Sequence, residues 1–155
     1  PPRGDARTTV MLRNIPGSVT RTQLLGIMQR EGCLEEVDFL YMPVDFKTGQ
    51  NTGFAFVNAT SNASARRLRN RFNGFSRWGV RALRHCNVSW AREDQQGLAA
   101  NVERYRNSSV MHVTVVAEHK PMVLARGVEV CFLPPTKTLS PPHASFGAHA
   151  GKVAK

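Results

Sequence analysis

Hydrophobic positions along the chain switch between a period of two and a period near 3.6. Between Thr8 and Ile15 they alternate, Val10 and Leu12 on one face and Met11 and Arg13 on the other, as in a half-buried strand. Pro16-Gly17-Ser18 breaks that strand. Thr20 with Gln23 three residues later forms a capping box, which opens a helix whose Leu24, Ile27 and Met28 share a face and which Gly32 stops. Val37 to Met42 reads as a second strand, cut short by Pro43. After a polar loop from Lys47 to Asn51, a third strand runs from Gly53 to Asn58. Ser61 caps a second helix with Ala65, Leu68 and Phe72 on its buried face, and Asn73-Gly74 ends it. A basic loop then leads to a fourth strand, Cys86 to Trp90.

The order β-α-β-β-α-β is the split βαβ arrangement of the α+β, ferredoxin-like superfold. More structure is expected after it. Asp94 is a plausible N-cap for a helix that places Leu98, Val102 and Tyr105 on one stripe and ends near Asn107. Val110 to Ala117 and Val128 to Leu133 read as further strands, with Arg126-Gly127 turning Met122 to Ala125 back as a hairpin. From Pro134 the chain is rich in Pro, Ser, His and Lys and reads as disordered. The division is a flexible lead (1–7), a central domain (8–92), an extension of helix and short strands (93–133) and a tail (134–155). A helix of about a dozen residues is marginal alone, so the extension must dock on the sheet, either at its edge or across Phe54 and Phe56.

Composition narrows the function. The 155 residues are 41% hydrophobic, enough for a core, and no apolar run approaches bilayer-spanning length, so no membrane role is expected. The first residue is Pro1, so the chain reads as a fragment. Three scattered cysteines give neither a disulfide framework nor a Cys-x-x-Cys metal knuckle, which points to the nucleus or cytoplasm. His85 beside Cys86 lacks a second cluster for four-fold coordination, no catalytic constellation is visible, and no metal, cofactor or enzymatic activity is expected. The net charge is +10, and Phe46 to Arg92 holds nine Lys and Arg with no Asp or Glu. A block of that sign suits a polyanion.

Thr52-Gly53-Phe54-Ala55-Phe56-Val57-Asn58-Ala59 closely follows the RNP1 signature of the RNA-recognition motif, and Val10-Met11-Leu12-Arg13-Asn14-Ile15 sits where RNP2 belongs. Phe54 and Phe56, two apart on a strand, point from one face and offer rings on which single-stranded bases stack. Thr52, Ala59 and Met11 depart from the pattern, the first losing a basic residue and the last two an aromatic; the Met11 thioether can still lie against a base. Thr8 to Pro16, Asp38 to Phe46, Gly53 to Asn58, Cys86 to Arg92 and Arg106 to Met111 resemble the C-terminal RNA-recognition motif of the Mei-two-like proteins, meiosis-associated RNA-binding regulators. The resemblance covers roughly residues 8–111. It implies sequence-selective binding of single-stranded RNA in a post-transcriptional regulator, by the sheet together with its extension, and favours docking at the sheet edge; a meiotic role comes only by that resemblance.

The residues expected to touch RNA are Met11, Arg13, Phe54 and Phe56; Phe39 and Tyr41, with Leu40 and Met42 turned inward; Asn87 and Ser89; and Arg92, placed to hold the backbone of an exiting strand. The opposite phase of the second strand would bury Phe39 and Tyr41. Arg66, Arg67 and Arg71 read as a solvated helix face, whereas Arg77, Arg81 and Arg84 lie nearer the presumed path. Single-stranded DNA is a second possible ligand, since stacking ignores the sugar. The rival reading is a protein-interaction domain of the same fold. Such domains keep Arg-x-Phe after the second helix, a pattern that Arg77-Trp78-Gly79 does not follow.

Overall fold

The computed structural model describes residues 4–142. Its elements are β1 (Thr9–Arg13), α1 (Arg21–Arg30), β2 (Val37–Tyr41), β3 (Phe54–Ala59), α2 (Asn62–Phe72), β4 (Asn87–Trp90), α3 (Leu98–Arg106), β5 (Met122–Ala125) and β6 (Val128–Val130). The strands form one antiparallel sheet in the order β4-β1-β3-β2-β5-β6, so the first four strands of the chain keep the split βαβ order and a hairpin prolongs the sheet beyond β2.

Local chemistry explains the boundaries. The Thr20 hydroxyl accepts from the Gln23 amide N–H at 3.1 Å while the Gln23 side-chain oxygen accepts from the Thr20 N–H at 2.9 Å, closing the capping box of α1. The Ser61 hydroxyl accepts from the Ser64 N–H at 3.1 Å and starts α2. Strand alternation sends Val10, Leu12, Leu40, Met42, Ala55, Val57 and Val88 to the side covered by both helices, where they pack against Leu24, Ile27, Met28, Leu68 and Phe72. The other face is left for the second layer of contacts.

The extension departs from the sequence reading in four places. Asp94 does not cap α3; it lies in a short 3₁₀ turn (Glu93–Gln95), its carboxylate pairs with Arg92, and α3 begins after Gly97, whose φ of 95° swings the chain onto the sheet. Val110 to Ala117 is no strand. Ser108 caps a 3₁₀ turn (Ser109–Met111), and His112 and Thr114 bond locally, so the segment turns, while the ladder position beside β2 goes to β5. Strand β6 ends at Val130 rather than Leu133, because Phe132 turns in to pack near Phe39. The β5–β6 turn itself falls at Arg126-Gly127 as expected, both residues at positive φ (53° and 82°). Finally, disorder does not begin at Pro134. Its carbonyl accepts from the Arg106 guanidinium at 2.9 and 2.7 Å, and Thr136 exchanges two hydrogen bonds with Asn107. The rest of the expected tail, 143–155, lies outside the described residues, as do residues 1–3 of the expected lead; within that lead Arg7 pairs with Asp5 at 3.0 Å.

Candidate nucleic-acid interface

Strand register assembles the face opposite α1 and α2 into rows. Met11 lies beside Ser89 of β4 on one side and Phe56 of β3 on the other, and Phe56 lies beside Tyr41 of β2. In the next row Asn87, Arg13 and Phe54 are neighbours. The phase of β2 places Phe39 and Tyr41 on this face while Leu40 and Met42 enter the core.

Of the two expected geometries, helix α3 takes the one across that face, not the docking at its edge that the resemblance favours. Val102 packs on Phe39 and Phe56, with Leu98, Tyr105, Val123 and Phe132 around them. The Tyr105 ring stacks over Phe39 (centroids 6.0 Å apart, planes 18° apart) and meets Tyr41 edge-on at 4.8 Å. As open platforms, Phe39 and Phe56 are therefore corrected: Phe39 is 0% exposed and Phe56 8%. Both belong to a second hydrophobic core, and Tyr41 borders it. Burial raises the hydroxyl pKa of Tyr41 and of Tyr105, so both rings stay neutral.

Two side-chain amides hold α3 in place. The Gln96 side-chain oxygen accepts from the N–H groups of Thr8 and Thr9, both at 2.9 Å, and its NH₂ donates to the carbonyls of Thr9 (2.9 Å) and Ala91 (3.0 Å). Gln96 thus splices the ends of β1 and β4. Asn101, 0% exposed, donates to the Gln95 carbonyl at 3.0 Å and the Gly97 carbonyl at 2.8 Å, and reaches the Thr9 hydroxyl at 3.3 Å. Thr9 in turn donates to the Asn58 side-chain oxygen at 2.6 Å, and Asn58 donates to Asp38 at 2.7 Å. Burial raises the Asp38 carboxyl pKa against the opposing pull of that hydrogen bond. No helical or strand period marks Gln96; Asn101 falls on the Leu98–Val102–Tyr105 stripe of α3, a polar residue on its buried face.

The β1–β4 side stays open. Arg13 and Asn87 are exposed, and Met11, Phe54 and Ser89 are half-buried, the Phe54 ring meeting Phe56 edge-on at 5.7 Å. Arg92 is exposed and pairs with Asp94 at 3.3 Å. On the helical side of the molecule, Arg67 pairs with Glu36 at 2.7 Å, and Arg71 and Arg77 share Glu31 at 3.3 and 3.2 Å. The Arg67 guanidinium holds the Glu36 carboxyl below its ordinary pKa. Among the described residues, Arg13 beside the open rows and Arg81 and Arg84 in the loop before β4 make no ion pair, and neither do Arg66 and Arg69 of α2. Burial pushes the Cys86 thiol up to about 12, which leaves it a packing residue.

The family model for RNA recognition motif 2 matches residues 7–106, a span that ends with the last residue of α3. The chain is 38% identical over 109 residues to Protein MEI2-like 3 of Arabidopsis thaliana, covering 70% of this chain and 14% of that protein. It is 37% identical over 121 residues to Protein terminal ear1 homolog of Oryza sativa subsp. indica, covering 67% and 17%. The chain therefore spans less than a fifth of either relative. Among solved structures, the Rna15 RRM with bound RNA (GU) is 23% identical at a TM-score of 0.47, covering 63% of this chain and 95% of that one. The Sxl-lethal protein/RNA complex is 29% identical at a TM-score of 0.46, covering 56% and 47%. Its matched span and its order of strands and helices make this chain a member of the RNA recognition motif 2 family, similar to the MEI2-like proteins.

Proposed function

We propose that the domain binds single-stranded RNA on the strip of sheet that α3 leaves uncovered, as the RNA-reading part of a post-transcriptional regulator acting in the nucleus or cytoplasm. The observation that carries this reading is the open corner. Phe54 and Met11 offer surfaces for a base, Asn87 and Ser89 offer polar groups to its edge, and Arg13 stands between Phe54 and Asn87 with no acidic partner. Arg92, at the far end of β4, is proposed to hold the backbone where the strand leaves. With α3 docked, Phe39, Tyr41 and Phe56 act indirectly, by packing the β2–β3 half of the face against which Phe54 rests. Single-stranded DNA is the same-face competitor, because a stacking ring does not distinguish the sugars.

One observation favours a second reading, a protein-interaction domain of the same fold: the closure of the β2–β3 half by α3. Binding of a fluorescein-labelled random-sequence RNA, measured by anisotropy for the wild type and for Phe54→Ala, decides between them. The RNA reading expects binding that weakens about five- to hundredfold in the variant, the loss of one stacked base. Wild-type affinity in a folded Phe54→Ala protein would reject the open-corner site.

A further inference from the structure

The loop between α2 and β4 holds a combination that the sheet-based reading does not use. Trp78 is buried, 3% exposed, with its ring edge-on to Phe75 at 5.1 Å, and its indole N–H donates to the Arg84 carbonyl at 2.8 Å. The loop is thus pinned from beneath at Arg84. Just before that pin, Leu83 is 96% exposed, the most exposed of the large hydrophobic side chains among the described residues. A pinned loop that displays a leucine so openly, between Arg81 and Arg84, exposes apolar surface beside positive charge.

The loop is also joined to the open corner of the sheet. The Arg84 guanidinium donates to the Asn14 side-chain oxygen at 2.9 Å, and the Asn14 side-chain NH₂ donates to the His85 carbonyl at 3.1 Å. Asn14 directly follows Arg13 and has a φ of 67°, a left-handed conformation that asparagine tolerates better than most residues. The backbone therefore turns at the end of β1 in the conformation that lets Asn14 clasp the loop. Asn87, beside Arg13 on the sheet, lies three residues after Arg84. Sheet corner and loop form one continuous surface.

We infer that the 79–85 loop is a second RNA contact, which takes the nucleotides running off the Arg13–Asn87 corner, with Leu83 against a base and Arg81 and Arg84 at phosphates. The inference rests on the open-corner reading and extends it. Charge decides the occupant: from Phe46 to Arg92 the chain contains no acidic residue, and Arg81 and Arg84 have no ion pair among the described residues. A polyanionic strand neutralises both arginines while its bases supply apolar faces for Leu83. A protein ligand with an acidic, apolar segment is the competing occupant.

The test uses the whole chain and two fluorescein-labelled random-sequence RNAs, of about four and about ten nucleotides, chosen because such sheets stack only two or three bases. Arg81→Ala with Leu83→Ser leaves the Arg84–Asn14 clasp intact, and thermal melting verifies the fold. The expected result is an affinity about five- to tenfold lower for the longer RNA and unchanged for the shorter. The salt slope for the longer RNA should become shallower by about 0.7, the share of one phosphate on a single strand. Unchanged binding of the longer RNA would overturn the inference and leave the loop to a protein ligand. An equal loss for both RNAs would overturn it too, since the loop would then act through the sheet site. If the wild type bound neither RNA, the open-corner reading would fall first and the loop contact with it.

Discussion

The two halves of the sheet's outer face are built from similar residues and have opposite fates. On the β2–β3 side, Phe39 and Phe56 lie under Val102 and Tyr105 and are as dry as core residues. On the β1–β4 side, Arg13 and Asn87 are in water and Phe54 is half-covered. The difference arises from a few residues after β4, where Gln96 and Asn101 fix the start of α3 and Gly97 sets its direction. An aromatic ring on the outer face of such a sheet can therefore serve recognition or stability, and the docked extension decides which.

The largest effect that tests this contrast is on stability. Phe39→Ala should cost about 3–5 kcal/mol of unfolding free energy, as removal of a buried ring does, read from a urea denaturation midpoint at constant slope. Phe54→Ala should cost under about 1 kcal/mol by the same measurement. Equal losses would erase the distinction between the halves. Next in size is Gln96→Ala, which removes four hydrogen bonds at the ends of β1 and β4 and should cost about 2–3 kcal/mol. Its amide-exchange signature should be loss of protection at Thr8 and Thr9, with the β2–β5 ladder keeping its protection.

Tyr105→Ala sharpens the comparison from the other side. Removing the ring that lies on Phe39 and Tyr41 should cost about 2 kcal/mol of stability and leave RNA affinity within about twofold, because the open strip does not use it. A tenfold gain in affinity would instead make α3 a lid that competes with RNA. The smallest expected effect is electrostatic. Arg13→Ala should make the dependence of log affinity on log salt shallower by about 0.7, whereas Arg66→Ala with Arg67→Ala, on the helical side, should leave it unchanged. The reverse ranking would move the binding surface to the helices.

Much of the fold was legible because each central strand has one apolar face and each helix a capping residue. Thr20, Ser61 and Asn73-Gly74 set helix ends by local chemistry, and Leu40 with Met42 fixed the phase of β2. The extension was harder to read. The valines from Val110 to Val116 have strand propensity, but a strand needs a free ladder, and the one beside β2 went to β5. The face of the candidate site was readable and its coverage was not. Alternation says which side Phe39 occupies, but nothing in its neighbours says that Tyr105, 66 positions later, will lie on it. Gln96 carries no periodic signal, and Asn101 lies on the apolar stripe of α3 but is itself polar.

The β5–β6 hairpin changes what the molecule shows to its neighbours in a crowded solution. Without it, β2 would present a bare edge with the sequence Val37-Asp38-Phe39-Leu40-Tyr41, rich in residues that pair readily with other strands. With it, the edge passes to β6, only three residues long with Glu129 at its centre. A short, charged edge is a poor template for addition of another chain. A chain shortened to end before Met122 is therefore expected to form intermolecular β-sheet far more readily, whatever it does to RNA.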